Sequence, residues 1–196
     1  MKVIAMTPFG LDMNLGRAYN EAMEMLPEDG WACFLDHDAA WTTRKWYPQV
    51  VEAAIRYPET GLFTCYTNRI ASSWQRLDQY DNHDMRHQRS VGEKQTKVRT
   101  LLDVTDTQGI GGVVMVVSKR AWRDVGGFVD GLLCVDHQMH FAQRKAGRKV
   151  YLIEGLYVYH WRRAFGDELP ANAPRAAGCP CRGTERNPHV RVSLDG

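Results

Sequence analysis

The chain has 196 residues, of which 44% are hydrophobic and 24% charged, and its formal net charge is +2. This composition is typical of one folded domain with a sizeable core, and so small a charge excludes a global electrostatic attraction to nucleic acid or membrane. No apolar run approaches the roughly 18 residues of a membrane span, and the N-terminus lacks a signal-peptide pattern. The five cysteines show no disulfide-scaffold spacing, which predicts a reducing, cytoplasmic location.

Apolar residues at strand or helix spacing predict elements that alternate along most of the chain. The first strand lies within residues 2–9 and stops at Pro8, and Asp12 or Asn14 can cap the helix that follows. Further strands are expected at residues 31–35, 61–67, 113–117, 149–153 and 156–159. Helices are expected at residues 15–26, 46–57, 119–125 and 135–146. This alternation predicts an α/β sheet flanked by helices.

Two stretches depart from the alternation. Residues 68–106 are polar with weak helical periodicity toward Leu101, which is typical either of a mobile binding loop or of a solvated surface excursion. Residues 165–196 are dominated by Pro, Gly, Ala and Arg, which predicts a loosely ordered tail. We therefore expect one domain over residues 1–164, followed by a C-terminal tail.

The segment Trp31–Asp38 runs a buried strand directly into two carboxylates. Asp36 and Asp38 project to the same side of an extended chain, while His37 faces away. At the carboxyl end of a central strand the two acids would repel each other unless a cation lies beside them, and such hard oxygen ligands suit Mg²⁺ or Mn²⁺. A solvated polar strand end is the alternative interpretation.

Four segments, in this order, resemble the motifs of family 2 glycosyltransferases with the GT-A fold. FLDHDA at residues 34–39 is similar to the family's DxD motif, and VVMVVSKRAWRDVGGF at 113–128 to its strand, basic helix and GGF turn. VDHQMHFAQRKAG at 135–147 is similar to its acceptor-side helix, and VYHWRR at 158–163 to the strand that ends in a metal-binding His. The resemblance implies a single-domain, mixed and mainly parallel sheet flanked by helices. It also implies a metal-dependent transferase that moves a sugar from a nucleotide-diphosphate sugar to an acceptor hydroxyl.

The resemblance also implies roles for individual residues. Asp36 would lie near the ribose and the metal, Asp38 would bind the Mn²⁺ or Mg²⁺ directly, and His160 would be its third protein ligand. Asp136 would be the catalytic base that deprotonates the acceptor hydroxyl in an inverting displacement. The remaining candidates for donor binding are Thr7, Pro8 and Phe9 at the nucleotide base, Asn20 on the first helix, Gly111 and Gly112 near the sugar, and Arg162 and Arg163 at the diphosphate.

The chain departs from the family pattern in ways that leave alternatives open. Val135 replaces the acid before Asp136, and the N-terminal half lacks a strand-helix pair that carries the acid reading the nucleotide base. A non-catalytic module of the same fold, binding a nucleotide sugar or a glycan, is therefore the alternative function. A plain glycine turn at 111–112 and a surface basic cluster at 162–163 are the alternatives for those residues.

The acceptor is expected to be a glycan or a hydroxylated base in DNA. Histidine and arginine residues from His83 to Arg99, together with those of the tail, could form a basic rim that suits a polyanion. His137 and His140 could line the acceptor site, or could be ordinary surface histidines of a helix. We expect no obligate protein partner.

Overall fold

The structure is a computed structural model that describes residues 1–77, 82–161 and 190–195. In these ranges the chain forms a single eight-stranded sheet with helices on both faces. The strands are β1 (Lys2–Met6), β2 (Gly30–Leu35), β3 (Ala39–Trp41), β4 (Leu62–Thr67), β5 (Thr100–Asp103), β6 (Val114–Ser118), β7 (Val150–His160) and β8 (Val190–Ser193). The helices are α1 (Leu15–Glu24), α2 (Trp46–Arg56), α3 (Met85–Gln95), α4 (Lys119–Asp124) and α5 (Val135–Lys145), with a 3-10 turn at Ser73–Gln75. The α/β prediction is confirmed.

The order of the strands is β1-β2-β6-β4-β7-β5-β8, and the short β3 pairs with β7. β1 pairs with β2 and β4 pairs with β7 in parallel, whereas β6 runs antiparallel to both β2 and β4. β3 and β5 run antiparallel to β7, and β8 runs antiparallel to β5. The sheet is mixed as predicted, but the prediction that it is mainly parallel is wrong. An apolar pattern locates a strand without giving its direction, because the alternation of faces is the same both ways.

Alternate residues of the central strands bury two separate cores, as the twofold period of a strand requires. Phe34 and Tyr157 belong to the core beneath α1, α3, α4 and α5. Cys33 and Val158, each next in sequence to one of them, belong to the core beneath α2. Because both faces are covered, β2 and β7 read as nearly continuous apolar runs in the sequence.

The helices begin and end close to their predicted bounds. α1 is capped by Asn14, whose Oδ1 accepts a hydrogen bond from the Arg17 backbone N–H at 3.0 Å. Of the two predicted candidates, Asn14 and not Asp12 is therefore the cap. Its buried face includes Ala18, Tyr19 and Ala22. No helix within the described ranges combines the length and the apolar character needed to cross a membrane.

Residues 68–106 contain α3 and β5, so neither of the predicted loop interpretations holds for these elements. Asp84 caps α3 by accepting a hydrogen bond from the Arg86 backbone N–H at 2.9 Å. The buried face of the helix consists of Gln88, Val91 and Gly92. Only one of these three is a large apolar residue, which explains why the helical period is weak in the sequence.

The two predicted strands at 149–153 and 156–159 form the single strand β7, which is buried along its whole length. Glu154 interrupts the apolar pattern, yet its carboxylate accepts hydrogen bonds from the Tyr66 hydroxyl at 3.1 Å and the Thr100 hydroxyl at 2.6 Å. The pairing with β4 shifts register at this point, between Cys65 and Tyr66. A satisfied polar residue at a β-bulge is therefore what divides the strand in the sequence.

Part of the predicted tail belongs to the sheet. Val190–Ser193 form β8 on the outer edge of β5, and the Arg191 Nε lies 2.8 Å from the Glu154 carboxylate. Leu194, which follows the strand, is 2% exposed. These residues are not loosely ordered, because a buried carboxylate and an open strand edge bind them. Residues 165–189 of the predicted tail lie outside the described ranges.

Candidate metal centre

Three strands bring Asp36, Asp38 and His160 to one place. A tight turn after β2, closed by a 3.1 Å hydrogen bond from Ala39 N to the Asp36 carbonyl oxygen, leads directly into β3. β3 pairs with the last residues of β7, so that Ala39 lies opposite His160, and Trp161 N donates to the Asp38 carbonyl oxygen at 2.9 Å. Backbone pairing therefore fixes the separation between the acid pair and the histidine.

The three side chains offer one ligand atom each, and these atoms all lie within 4.8 Å of one another. His160 Nε2 is 3.2 Å from Asp38 Oδ1 and 3.9 Å from Asp36 Oδ2. Two carboxylates and one imidazole suit a divalent ion such as Mn²⁺, which accepts both oxygen and nitrogen ligands. The group could therefore hold a metal ion.

The ring of His160 has the orientation that a metal ligand requires. Its Nδ1 lies 2.7 Å from the Arg69 carbonyl oxygen. A carbonyl oxygen only accepts, so Nδ1 donates to it, and Nε2 is the ring nitrogen that faces the two aspartates and would bind an ion. Such a partner on the second nitrogen is the usual arrangement around metal-bound histidines.

The pKa values of the two acids shift in opposite directions. Burial raises the pKa of Asp36 to about 6; His160 lowers it, while the nearby Asp38 and Asp136 raise it further. Burial also acts to raise the pKa of Asp38, but the hydrogen bond and charge of His160 hold it below its ordinary value. A divalent ion would favour the charged form of both carboxylates.

A cleft of about 740 Å³ contains this group and also Asp136, at the start of α5. The Asp136 carboxylate accepts hydrogen bonds from Gly112 N at 2.7 Å and from His137 N at 2.8 Å. Cys134, which precedes the helix, has a φ of 68°, a value uncommon for a residue other than glycine. This turn and the Gly112 contact together place the Asp136 side chain in the cleft.

Gly111 and Gly112 form part of the cleft wall. A Cβ on Gly111 would lie 2.2 Å from Ile70 Cδ1, and one on Gly112 would lie 2.8 Å from Asp136 Cβ. The close approach of their backbone to neighbouring side chains therefore requires glycine at both positions. Val113, the next residue, accepts a 3.1 Å hydrogen bond from Asp36 N through its carbonyl oxygen.

The structure separates the other predicted donor-binding residues. Pro8 and Phe9 line the cleft, whereas Thr7 and Asn20 do not. Asn20 instead joins α1 to α4 and to the segment that follows it: its Oδ1 accepts hydrogen bonds from the Trp122 indole N–H and from Phe128 N, both at 2.8 Å. The prediction that Asn20 binds the donor is therefore not supported by its position. Arg162 and Arg163 lie outside the described residues.

The cleft also contains residues for which the sequence analysis predicts no role. Tyr19, Ile70, Leu132 and Trp161 line it. Burial and the charges of Asp36 and Asp136 raise the pKa of Tyr19 well above its usual range, so its hydroxyl stays protonated. The position of Trp161, directly after a candidate metal ligand, is the one signal in the sequence that could have indicated any of them.

The two histidines of α5 have different environments. His137 lines the cleft beside Asp136, as the acceptor-site prediction requires. His140 is fully buried, and its Nε2 lies 3.0 Å from the Thr105 carbonyl oxygen. It is therefore neither an acceptor-site residue nor a surface residue.

No known family model matches this sequence, and no curated protein matches it significantly. A function for the chain therefore has to be inferred from the cleft itself.

Proposed function

We propose that this chain is a metal-dependent glycosyltransferase of the GT-A type, which moves a sugar from a nucleotide-diphosphate donor to an acceptor hydroxyl. The observation that carries the proposal is one cleft that holds Asp36, Asp38 and His160 within 4.8 Å of one another, together with Asp136. These four residues come from three separate segments of the chain, and they are the four to which the family resemblance gives the central roles.

The charge of the cleft supports a role for a divalent ion in donor binding. Three of its lining residues are aspartates, and none of the described residues that line it is lysine or arginine. A diphosphate would be repelled by such a wall unless a cation lies between them. Mn²⁺ or Mg²⁺ held by Asp36, Asp38 and His160 would supply that charge and would stabilise the departing nucleoside diphosphate as a Lewis acid.

Asp136 is the residue proposed to take the proton from the acceptor. The acceptor oxygen forms a bond to the anomeric carbon, the bond from that carbon to the diphosphate oxygen breaks, and the hydroxyl proton passes to the Asp136 carboxylate. Attack from the face opposite the leaving group inverts the anomeric configuration. Two backbone N–H donors, from Gly112 and His137, hold the Asp136 carboxylate in the cleft at the N-terminus of α5.

The acceptor is proposed to be a glycan or a hydroxylated base in DNA. At one side of the cleft, the Trp161 ring lies 5.2 Å from the ring of His83, just before α3. α3 exposes Arg86, Arg89 and Lys94. Basic side chains on a helix whose preceding residue His83 lies against Trp161 of the cleft wall suit a polyanionic acceptor.

A second candidate function is favoured by one feature of Asp136. Both of its carboxylate oxygens already accept backbone hydrogen bonds, so the residue could serve only to join α5 to the glycine turn. In that case the cleft would bind a nucleotide sugar or glycan without turnover. Val135, which stands where the family has an acid, is 1% exposed and packs in the core, which fits this alternative.

The two functions are separated by a donor panel and one variant. Purified protein is incubated with UDP-, GDP- and dTDP-sugars plus Mn²⁺, and donor binding and nucleotide release are measured. An enzyme releases nucleoside diphosphate, and Asp136→Asn removes the release while donor affinity stays within a few-fold. A binding module binds a donor without release. Protein that neither binds nor hydrolyses any donor would exclude both, and the matched control Asp106→Asn changes an exposed aspartate that does not line the cleft.

A further inference from the structure

We propose that Asn68 is a positioning residue of the metal centre: its buried carboxamide fixes the backbone of His160 and thereby directs the imidazole toward Asp36 and Asp38. The inference rests on the metal centre of the proposed function and assigns a residue that the resemblance leaves without a role.

The carboxamide of Asn68 holds both backbone polar groups of His160. Asn68 is fully buried and directly follows β4. Its Oδ1 accepts a hydrogen bond from His160 N at 2.7 Å, and its Nδ2 donates to the His160 carbonyl oxygen at 3.2 Å. One side chain therefore binds both the backbone N–H and the backbone carbonyl oxygen of His160.

These contacts continue the pairing between β4 and β7, which ends at Thr67, the residue before Asn68. β4 and β7 pair in parallel up to Thr67, which lies opposite Val158. Beyond Thr67 the side chain of Asn68 takes the place of the missing neighbouring strand at His160. Without it, the last residue of β7 would lose its hydrogen bonds on this side, and strand ends with unpaired backbone are the first to open.

The residue after Asn68 completes the arrangement. The Arg69 carbonyl oxygen accepts the His160 Nδ1 proton at 2.7 Å. Two consecutive residues thus fix the main chain of His160 and the rotation of its ring. Because metal-ligand distances tolerate deviations of only about 0.2 Å, a displaced His160 backbone would weaken the ion's binding even though all three ligands remain present.

The test measures metal affinity without any sugar donor. Mn²⁺ binding is titrated by calorimetry on the full chain for the wild type, Asn68→Ala and the matched control Gln143→Ala. Gln143 is also a fully buried amide, and its Nε2 donates to the Ala121 carbonyl oxygen at 3.0 Å. Loss of an outer partner of a metal ligand typically weakens binding by about 10- to 100-fold. We expect that loss in Asn68→Ala and a change below about threefold in Gln143→Ala.

The outcomes separate the positioning role from general destabilisation. Wild-type-like Mn²⁺ affinity in Asn68→Ala would overturn the inference, and so would an equal loss in both variants. A wild type that binds no Mn²⁺ would overturn the metal centre of the proposed function itself. Should Asn68→Ala not fold, Asn68→Ser takes its place, because its shorter side chain cannot reach both backbone groups of His160 and the same loss is expected.

Discussion

The two ends of the cleft differ in how firmly the chain holds them. At the metal end, His160 is 6% exposed and lies in a continuous network of strand pairing and side-chain hydrogen bonds. At the end formed by the segment after β1, Phe9 is 74% exposed, and Leu11, two residues further on, is 94% exposed. Both ends border the same cleft, through His160 at one and Phe9 at the other.

This difference suggests how binding energy is divided along the donor. At the metal end the three candidate ligand atoms already lie within 4.8 Å of one another, so little ordering would be needed there. The exposed side chains at the other end would have to become ordered around a nucleoside, at a cost of about 0.5–1.5 kcal/mol for each one immobilised. We therefore expect the diphosphate and its ion to supply most of the affinity, and the nucleoside to supply less.

The largest expected effect is the loss of a metal ligand at the firmly held end. Asp38→Ala should lower kcat/KM for sugar transfer by about 10³-fold, since Lewis-acid stabilisation of a leaving group contributes several kcal/mol. It should also abolish detectable Mn²⁺ binding by calorimetry. Asp106→Ala, at a side chain that is 75% exposed, serves as the control. A variant at Asp38 that keeps activity within tenfold would show that the acid pair does not hold the ion.

Removal of the metal should affect the two ends of the cleft unequally. We expect the affinity for UDP, the first probe, to fall by about 100-fold in EDTA, or about 2.7 kcal/mol, because the aspartates then face the diphosphate directly. Uridine, which lacks the phosphates, should lose almost nothing. Calorimetry with and without Mn²⁺ measures the affinities for UDP and for uridine. Equal losses for the two ligands would contradict the expectation that the diphosphate and its ion supply most of the affinity.

Acid should lower the free energy of unfolding through His140, a buried residue on the same helix as Asp136. Burial lowers the pKa of His140 to about 4, against an ordinary 6.5. The unfolded chain therefore binds a proton below pH 6.5 that the folded chain does not, so stability is full above that pH and falls toward pH 4. From pH 7 to pH 5 the free energy of unfolding should drop by about 2 kcal/mol from this residue alone.

Urea denaturation at a series of pH values measures this dependence. His140→Gln should flatten the decrease, because the buried group no longer titrates. His137→Gln on the same helix should leave it unchanged, since His140 is still present. A steep loss that persists in His140→Gln would mean that other groups dominate the acid response.

The smallest effect is expected at the exposed end. Phe9→Ala should raise KM for the donor by about threefold and leave kcat unchanged, because the ring adds uniform binding without contacting the reacting atoms. Leu11→Ala, at an exposed position that does not line the cleft, should change neither constant. Steady-state kinetics distinguish these cases, and a large decrease in kcat for Phe9→Ala would contradict the comparison between the two ends.

The sequence predicted the parts of the site that depend on local order along the chain. Asp36 and Asp38 follow an apolar strand, and His160 ends another, so a strand pattern is enough to place all three at strand ends. The α/β class and the positions of most helices follow from the same periodicities. None of these predictions needed knowledge of which distant segment lies next to which.

Sequence patterns do not identify hydrogen-bond partners that lie far apart along the chain. Asn68 binds a residue 92 positions away, and Asn20 contacts Phe128, 108 positions away. A carboxamide can bond with any backbone group, so nothing in its local sequence identifies the partner. The direction of β6 is subject to the same limitation, because it depends on which distant strands lie beside it.

The attachment of β8 has a consequence for any shortened form of this protein. A chain that ended at residue 164, the predicted domain boundary, would leave β5 without its outer neighbour β8. The Glu154 carboxylate would also lose the Arg191 guanidinium. A bare β5 would offer its free backbone groups to other molecules as a template for edge-to-edge aggregation. Because β8 covers this edge of β5, the truncated chain is expected to aggregate more readily than the chain of 196 residues.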